Sequence, residues 1–138
     1  MSHAIADVHW LAVAIATVAT TAFGAVWFLV VVPRYYALAL GREGAPMPKP
    51  SALTNFGPMV CTLWITVTSA ILLSALEVQG LGAGLAFGAV VGLGYLVPMT
   101  FIIAINPNFP RPLLYGLVNG PFFLLGSLMT SAILVLVR

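Results

Sequence analysis

GLGAGLAFGAVVGLGY, residues 80–95, decides how this chain folds. Gly80, Gly84, Gly88 and Gly92 fall four apart inside one apolar segment. Residues four apart share a face of a helix, so these glycines predict one smooth groove. In water each glycine weakens a helix by roughly 1 kcal/mol. In lipid the same groove lets another helix backbone approach closely, and packing replaces the missing hydrophobic drive. The stretch therefore predicts a membrane helix built for tight helix contact.

Composition extends this from one segment to the whole chain. Hydrophobic residues make up 62% of the 138 residues and charged residues 6%, with a mean hydropathy of +1.12. A soluble domain carries roughly 25% charged residues; this chain has too few to cover a water-facing surface. A net charge of +2 from five basic residues is far too small for a nucleic-acid footprint, so no nucleic-acid partner is expected. The single cysteine, Cys61, excludes an intrachain disulfide. Its apolar surroundings predict a buried small hydrophobe rather than a reactive or metal-bound thiol.

A membrane-spanning helix needs about 20 mostly apolar residues. Four segments meet this, at about 8–32, 56–76, 81–105 and 113–137. The expected fold is all-α: one integral membrane four-helix domain over 1–138, with short links making sequential helices antiparallel neighbours. Arg34, Arg42 and Lys49 lie in the first loop and Arg111 in the third, whereas the second loop holds Glu77 and no basic residue. This bias places both of those loops in the cytoplasm and both termini outside. The first helix is too long, and lacks the basic start and small-residue site, for a removable signal peptide. Trp10 at the outer border, and Trp27, Phe28, Tyr35, Tyr36 and Tyr115 at the inner one, agree with those edges. The Pro- and Gly-rich loop over residues 41–50 predicts irregular, partly mobile chain.

The other helices also carry small residues four apart: Ala12, Ala16, Thr20 and Gly24; Thr62, Thr66, Ala70 and Ser74; Gly116 with Gly120, and Ser127 with Ser131. One stripe could arise by chance; four argue for close interhelical approach, within the chain or between copies of it. The third helix is the strongest case, and Gly88→Leu should disturb assembly more than Gly82→Leu, which lies off the ladder.

Chemistry has few places to reside. Pro98 removes an N–H and crowds the carbonyl of Gly94; Pro121 does the same to Leu117. At 1.5 Å per residue both prolines lie roughly 10–12 Å inside the cytoplasmic edge. Asn119, Thr100 and Thr62 gather at this depth, with Asn55 and Asn106 nearer the cytoplasmic mouth. One reading is a polar pocket lined by these residues and by the freed carbonyls of Gly94 and Leu117, hinged at Pro98 and Pro121. The other is two ordinary proline kinks with Asn119 bonded across helices. No Asp, Glu, Lys or Arg lies well inside a span, which argues against an ion- or proton-coupled pump.

His3, Asp7 and His9 cluster near the outer end, but a metal site needs three or four fixed ligands, and no such set is evident. Asp7 is expected to cap the first helix. There is no Ser-His-Asp set, no paired buried carboxylates and no phosphate loop, so no catalytic residue and no cofactor is expected. The GLGAG run lacks the preceding strand of a dinucleotide loop.

His9-Trp10-Leu11-Ala12-Val13 is similar to the Asn-Trp-Leu-Ala opening of the bacterial domain of unknown function 1761 family, with His9 in place of Asn. Gly24-Ala25-Val26-Trp27-Phe28 resembles that family's Gly-x-x-Trp-Tyr. Pro33-Arg34-Tyr35-Tyr36 matches its next motif more loosely. Leu117-Val118-Asn119-Gly120 resembles Ile-Asn-Ala-Gly, and residues 126–134 the closing Gly-x-Ile-Leu helix. The resemblance implies a small four-helix membrane protein of the bacterial inner membrane and draws attention to Trp27 and Asn119; it implies no activity. The expected function is a non-enzymatic, homo-oligomeric channel or transporter for a small solute or ion. The alternatives are an accessory subunit packed against an unlike membrane chain, and a binding protein for a lipid or other apolar ligand.

Overall fold

The computed structural model describes residues 6–45 and 49–137. His3 therefore lies outside the described residues, which contain helices and no strand. The elements are α1 (Trp10–Val31), α2 (Pro33–Ala39), α3 (Ala52–Ala75), α4 (Leu81–Ala104) and α5 (Pro112–Leu136). All but α2 are long and apolar enough to cross a membrane.

Local chemistry sets their ends. Pro33 and Pro112 open α2 and α5, where a missing N–H costs nothing. A capping box starts α3: Ser51 Oγ accepts the Thr54 N–H at 3.1 Å, and the Ser51 N–H donates to Thr54 Oγ1 at 2.7 Å. This begins the second span four residues before the expected 56. At its far end the Glu77 N–H donates to the Ser74 carbonyl and the Val78 N–H to the Leu73 carbonyl, each at 3.0 Å. That is a Schellman closure with Glu77 at φ +52°, in the position usually held by glycine. The start of α1 differs from expectation. His9, not Asp7, is the N-cap, and it makes no side-chain bond.

Two helices widen by one residue before a proline. Trp27–Val31 and Gly92–Leu96 are π turns, closed by the Val32 N–H on the Trp27 carbonyl and the Val97 N–H on the Gly92 carbonyl. Each ends two residues before Pro33 or Pro98. A proline ring collides with the carbonyl four residues back, and an inserted residue moves that carbonyl aside. The expected break at Pro98 is thus a local widening, and α5 runs on through Pro121.

Burial runs opposite to that of a soluble domain. Trp64 (77% exposed), Tyr95 (70%), Val18 and Ile102 face outward, while Ala16, Thr66, Thr130 and Ser131 lie inside. Cys61 is on the outer face, contrary to its expected burial, because the Thr62–Thr66–Ala70 stripe turns the opposite side of α3 inward. Lipid makes apolar exposure costless, so shape and hydrogen bonds select the inner face.

Helix α5 is the hub. It packs against α4, α1 and α2, while α3 packs mainly on α1. A Cβ placed on Gly88 would lie 2.9 Å from the Ser127 carbonyl oxygen and 3.0 Å from the Leu128 Cα; on Gly92 it would meet Leu124, and on Gly84 the Val135 side chain. Gly116 lies under the Phe101 ring and Gly120 beside Val97. Gly80 takes no part in this seam: it is the N-cap of α4, at φ +80° with open space around it. One expected neighbour relation fails. Helices α3 and α4 share a short link yet form no packing seam. Each finds a better-fitting small-residue face elsewhere, α3 on α1 and α4 on α5.

The first loop, expected to be irregular over residues 41–50, is tied to the third. Arg111 donates to the Leu38 carbonyl at 2.8 Å and pairs with Glu43 at 3.3 Å. Gly41, at φ +65°, packs on Pro110.

Candidate functional site

The missing α3–α4 seam leaves a cleft at mid-depth. Thr62, Ile65, Thr66 and Ser69 of α3 form one wall. Phe122, Phe123, Gly126, Ser127 and Thr130 of α5, with Leu96 of α4, form the other, and Thr20 of α1 closes the back. The cleft offers about 40 Å³ to a water-sized molecule, room for roughly two to four waters at 10–15 Å³ each.

Its polarity comes from hydroxyls alone. Thr62 donates to the Pro58 carbonyl at 2.9 Å and Thr66 to the Thr62 carbonyl at 2.8 Å. Ser127 reaches across to α4 and donates to the Gly88 carbonyl at 2.9 Å. Thr20 and Thr130 bond each other at 2.9 Å, joining α1 to α5. Threonine and serine suit membrane helices because they can return their proton to a carbonyl one turn back. Their oxygens then keep lone pairs facing the cleft. Among the described residues no group of His, Cys, Asp and Glu could hold a metal ion, and none of the four long helices contains a charged residue.

The residues expected to form a polar pocket are dispersed. Thr62 lines the cleft. Asn119 (4% exposed) and Thr100 are buried, each bonded within its own helix: Asn119 Nδ2 to the Tyr115 carbonyl and Thr100 Oγ1 to the Leu96 carbonyl, both at 2.8 Å. Asn119 is therefore not bonded across helices. Leu117 (66% exposed) and Gly94 face outward. Asn55 is exposed on the first turn of α3. Asn106 shapes the third loop by donating to the Ile103 carbonyl and accepting the Asn108 N–H. The prolines set backbone shape without drawing these side chains together.

Ser69 and Thr130 were not singled out by sequence. The signal that could have found them is hydroxyl content: three of the four long helices bring Ser or Thr to the same depth.

Next to the cleft, Trp27 Nε1 donates to the Val118 carbonyl at 3.1 Å. Rings of Phe23, Phe28, Tyr36, Tyr115 and Phe122 form a chain of contacts at 5.1–6.1 Å from α1 to α5. This aromatic wall stiffens the side of the cleft made by α5. Towards the N-terminal end of α1, Asp7, His9, Ala12, Ala70, Leu73, Ser74 and Leu134 surround a second, smaller depression. Leu73 (1% exposed), Ala16 and Leu134 pack as a layer between it and the cleft.

A family model described as a protein of unknown function (DUF1761) matches residues 11–135. The chain belongs to the DUF1761 family. The match runs from the first turn of α1 to the last turn of α5, in agreement with the resemblance seen in their sequence. No curated protein and no solved structure matches the chain. The DUF1761 description carries no activity.

Proposed function

We propose that this DUF1761 protein works as a four-helix membrane bundle, held by its glycine and small-residue seams, that accommodates a small uncharged molecule in the mid-depth cleft. The observation that carries the reading is a hydroxyl-lined cleft among apolar helices without a charged side chain. Hydroxyls can replace the hydration of a neutral molecule, whereas an ion would need charge or many carbonyls. A channel or transporter for an uncharged solute follows, and no enzymatic step is assigned. The cleft is open on one side, so a complete path requires a second copy to wall it. Gly84, Gly88 and Gly92 are occupied by α5 of the same chain, so that copy would dock elsewhere than on the glycine ladder.

The test is solute-driven swelling of proteoliposomes with urea, acetamide and glycerol. The protein should speed entry of at least one solute, and Ser69→Leu, which fills the cleft, should return the rate to that of empty liposomes at unchanged folded yield. Equal rates with and without protein would reject the transport reading. The open side also favours a second reading, a binding protein for a membrane-dissolved ligand.

Lys and Arg residues in the first and third loops support a bacterial inner-membrane orientation with both termini outside. A C-terminal reporter that works only outside the cytoplasm should be active; a silent one would reverse the orientation.

A further inference from the structure

The cleft's hydrogen bonds leave donors to spare. Thr62, Thr66 and Ser127 commit their protons to carbonyls. Thr20 and Thr130 hold two hydroxyl protons between them, and their mutual bond uses one; neither hydroxyl bonds any other group among the described residues. Ser69 is 7% exposed, lines the cleft and makes no hydrogen bond among the described residues. Two O–H donors thus face the same space, one from Ser69 on α3 and one from the Thr20–Thr130 pair opposite. A donor left unmet at membrane depth is strongly disfavoured. An acceptor oxygen is the complement both donors lack.

The route in is also defined. The outer end of the cleft is closed by the layer of Leu73, Ala16 and Leu134. The open side lies between α3 and α4, which form no packing seam, with Ile65 of α3 and Leu96 of α4 lining the cleft there. Phe122, Phe123, Leu96 and Ile65 supply apolar walls around the hydroxyls.

We infer that the cleft binds the carbonyl-bearing head of an uncharged, membrane-dissolved molecule, which enters sideways between α3 and α4 and accepts hydrogen bonds from Ser69 and from the Thr20–Thr130 pair. This rests on the cleft being the working site. It adds that the ligand must carry acceptor oxygens and comes from the lipid rather than from water.

2-Tridecanone is a suitable probe, with one carbonyl small enough for a cleft that holds a few waters, two lone pairs for the two donors and an apolar tail; tridecane is the control that lacks the acceptor. Native mass spectrometry of the full chain in nanodiscs would follow retained probe through a titration. Saturable binding of 2-tridecanone and none of tridecane is expected. Ser69→Ala, and separately the Thr20→Val/Thr130→Val double variant, should each raise Kd about 2- to 10-fold, the range of one lost hydrogen bond. Ser69→Leu should abolish binding. The lipid-facing Thr68→Val should leave Kd unchanged. If Ser69→Leu abolishes binding while Ser69→Ala and the double variant leave Kd at the wild-type value, the cleft remains the site and the acceptor assignment is overturned. Equal retention of both probes also overturns that assignment. No saturable binding of 2-tridecanone, together with solute entry in the swelling assay that Ser69→Leu blocks, places the ligand in water and overturns the membrane source. Binding indifferent to Ser69→Leu removes the cleft itself.

Discussion

Gly88→Leu is expected to abolish the folded protein, and Gly88→Ala to cost about 1–3 kcal/mol, the range for overpacking a tight contact. Two of the three atoms in the way belong to the backbone. A Cβ at residue 88 meets the Ser127 carbonyl oxygen and the Ser131 Oγ at 2.9 Å and the Leu128 Cα at 3.0 Å. To relieve them α4 must move away from α5, which also breaks the bond from Ser127 to the Gly88 carbonyl. Gly82 has nothing within 4 Å of its would-be Cβ. Gly82→Leu should therefore be neutral, or stabilising by up to about 1 kcal/mol from helix propensity. The check is folded yield by size exclusion, with thermal unfolding of the three variants in one detergent. Equal loss in Gly82→Leu and Gly88→Leu would mean that the α4–α5 seam does not hold the structure.

Leu73→Ala is expected to lower stability by about 2–5 kcal/mol, the range for truncating a fully buried leucine, and to raise solute entry above wild type. Leu73 stands one turn beyond Ser69 on the inner face of α3. It also lines the second depression, beside Asp7 and His9, so its removal joins that depression to the cleft. Leu73→Met, close in volume, should cost less than about 1.5 kcal/mol and leave entry unchanged. The two effects separate cleanly in the swelling assay run at a temperature where both variants are folded. A destabilised Leu73→Ala protein with wild-type entry would show that this layer is not the barrier.

The membrane class, the four long helices and the family were legible in the sequence because they depend on local or additive properties: run length, charge content, and short motifs such as Gly24 to Phe28. Helix borders were close where apolarity ended. They were off at the start of α3, where the Ser51–Thr54 capping box adds a turn. Of the glycine ladder, Gly84, Gly88 and Gly92 lie against α5, whereas Gly80 serves as a cap. The pocket residues were harder. Depth along a helix follows from residue count, and it placed Asn119, Thr100 and Thr62 at one level. Direction around the helix axis does not follow from count, since each residue turns by a fixed angle from a starting face that only a neighbour can define.

The sequence by itself determined that the chain is apolar, has four helices long and apolar enough to cross a membrane and carries small and hydroxyl residues on each. Only the tertiary structure decided which faces meet. It paired α4 with α5 and α3 with α1, set α3 and α4 apart despite their short link, and so opened the cleft that gathers Thr20, Ser69 and Thr130. The physical reason is that lipid rewards no apolar face over another. The choice of neighbour falls to shape, where a glycine meets a carbonyl, and to single hydrogen bonds between residues as distant in sequence as Thr20 and Thr130.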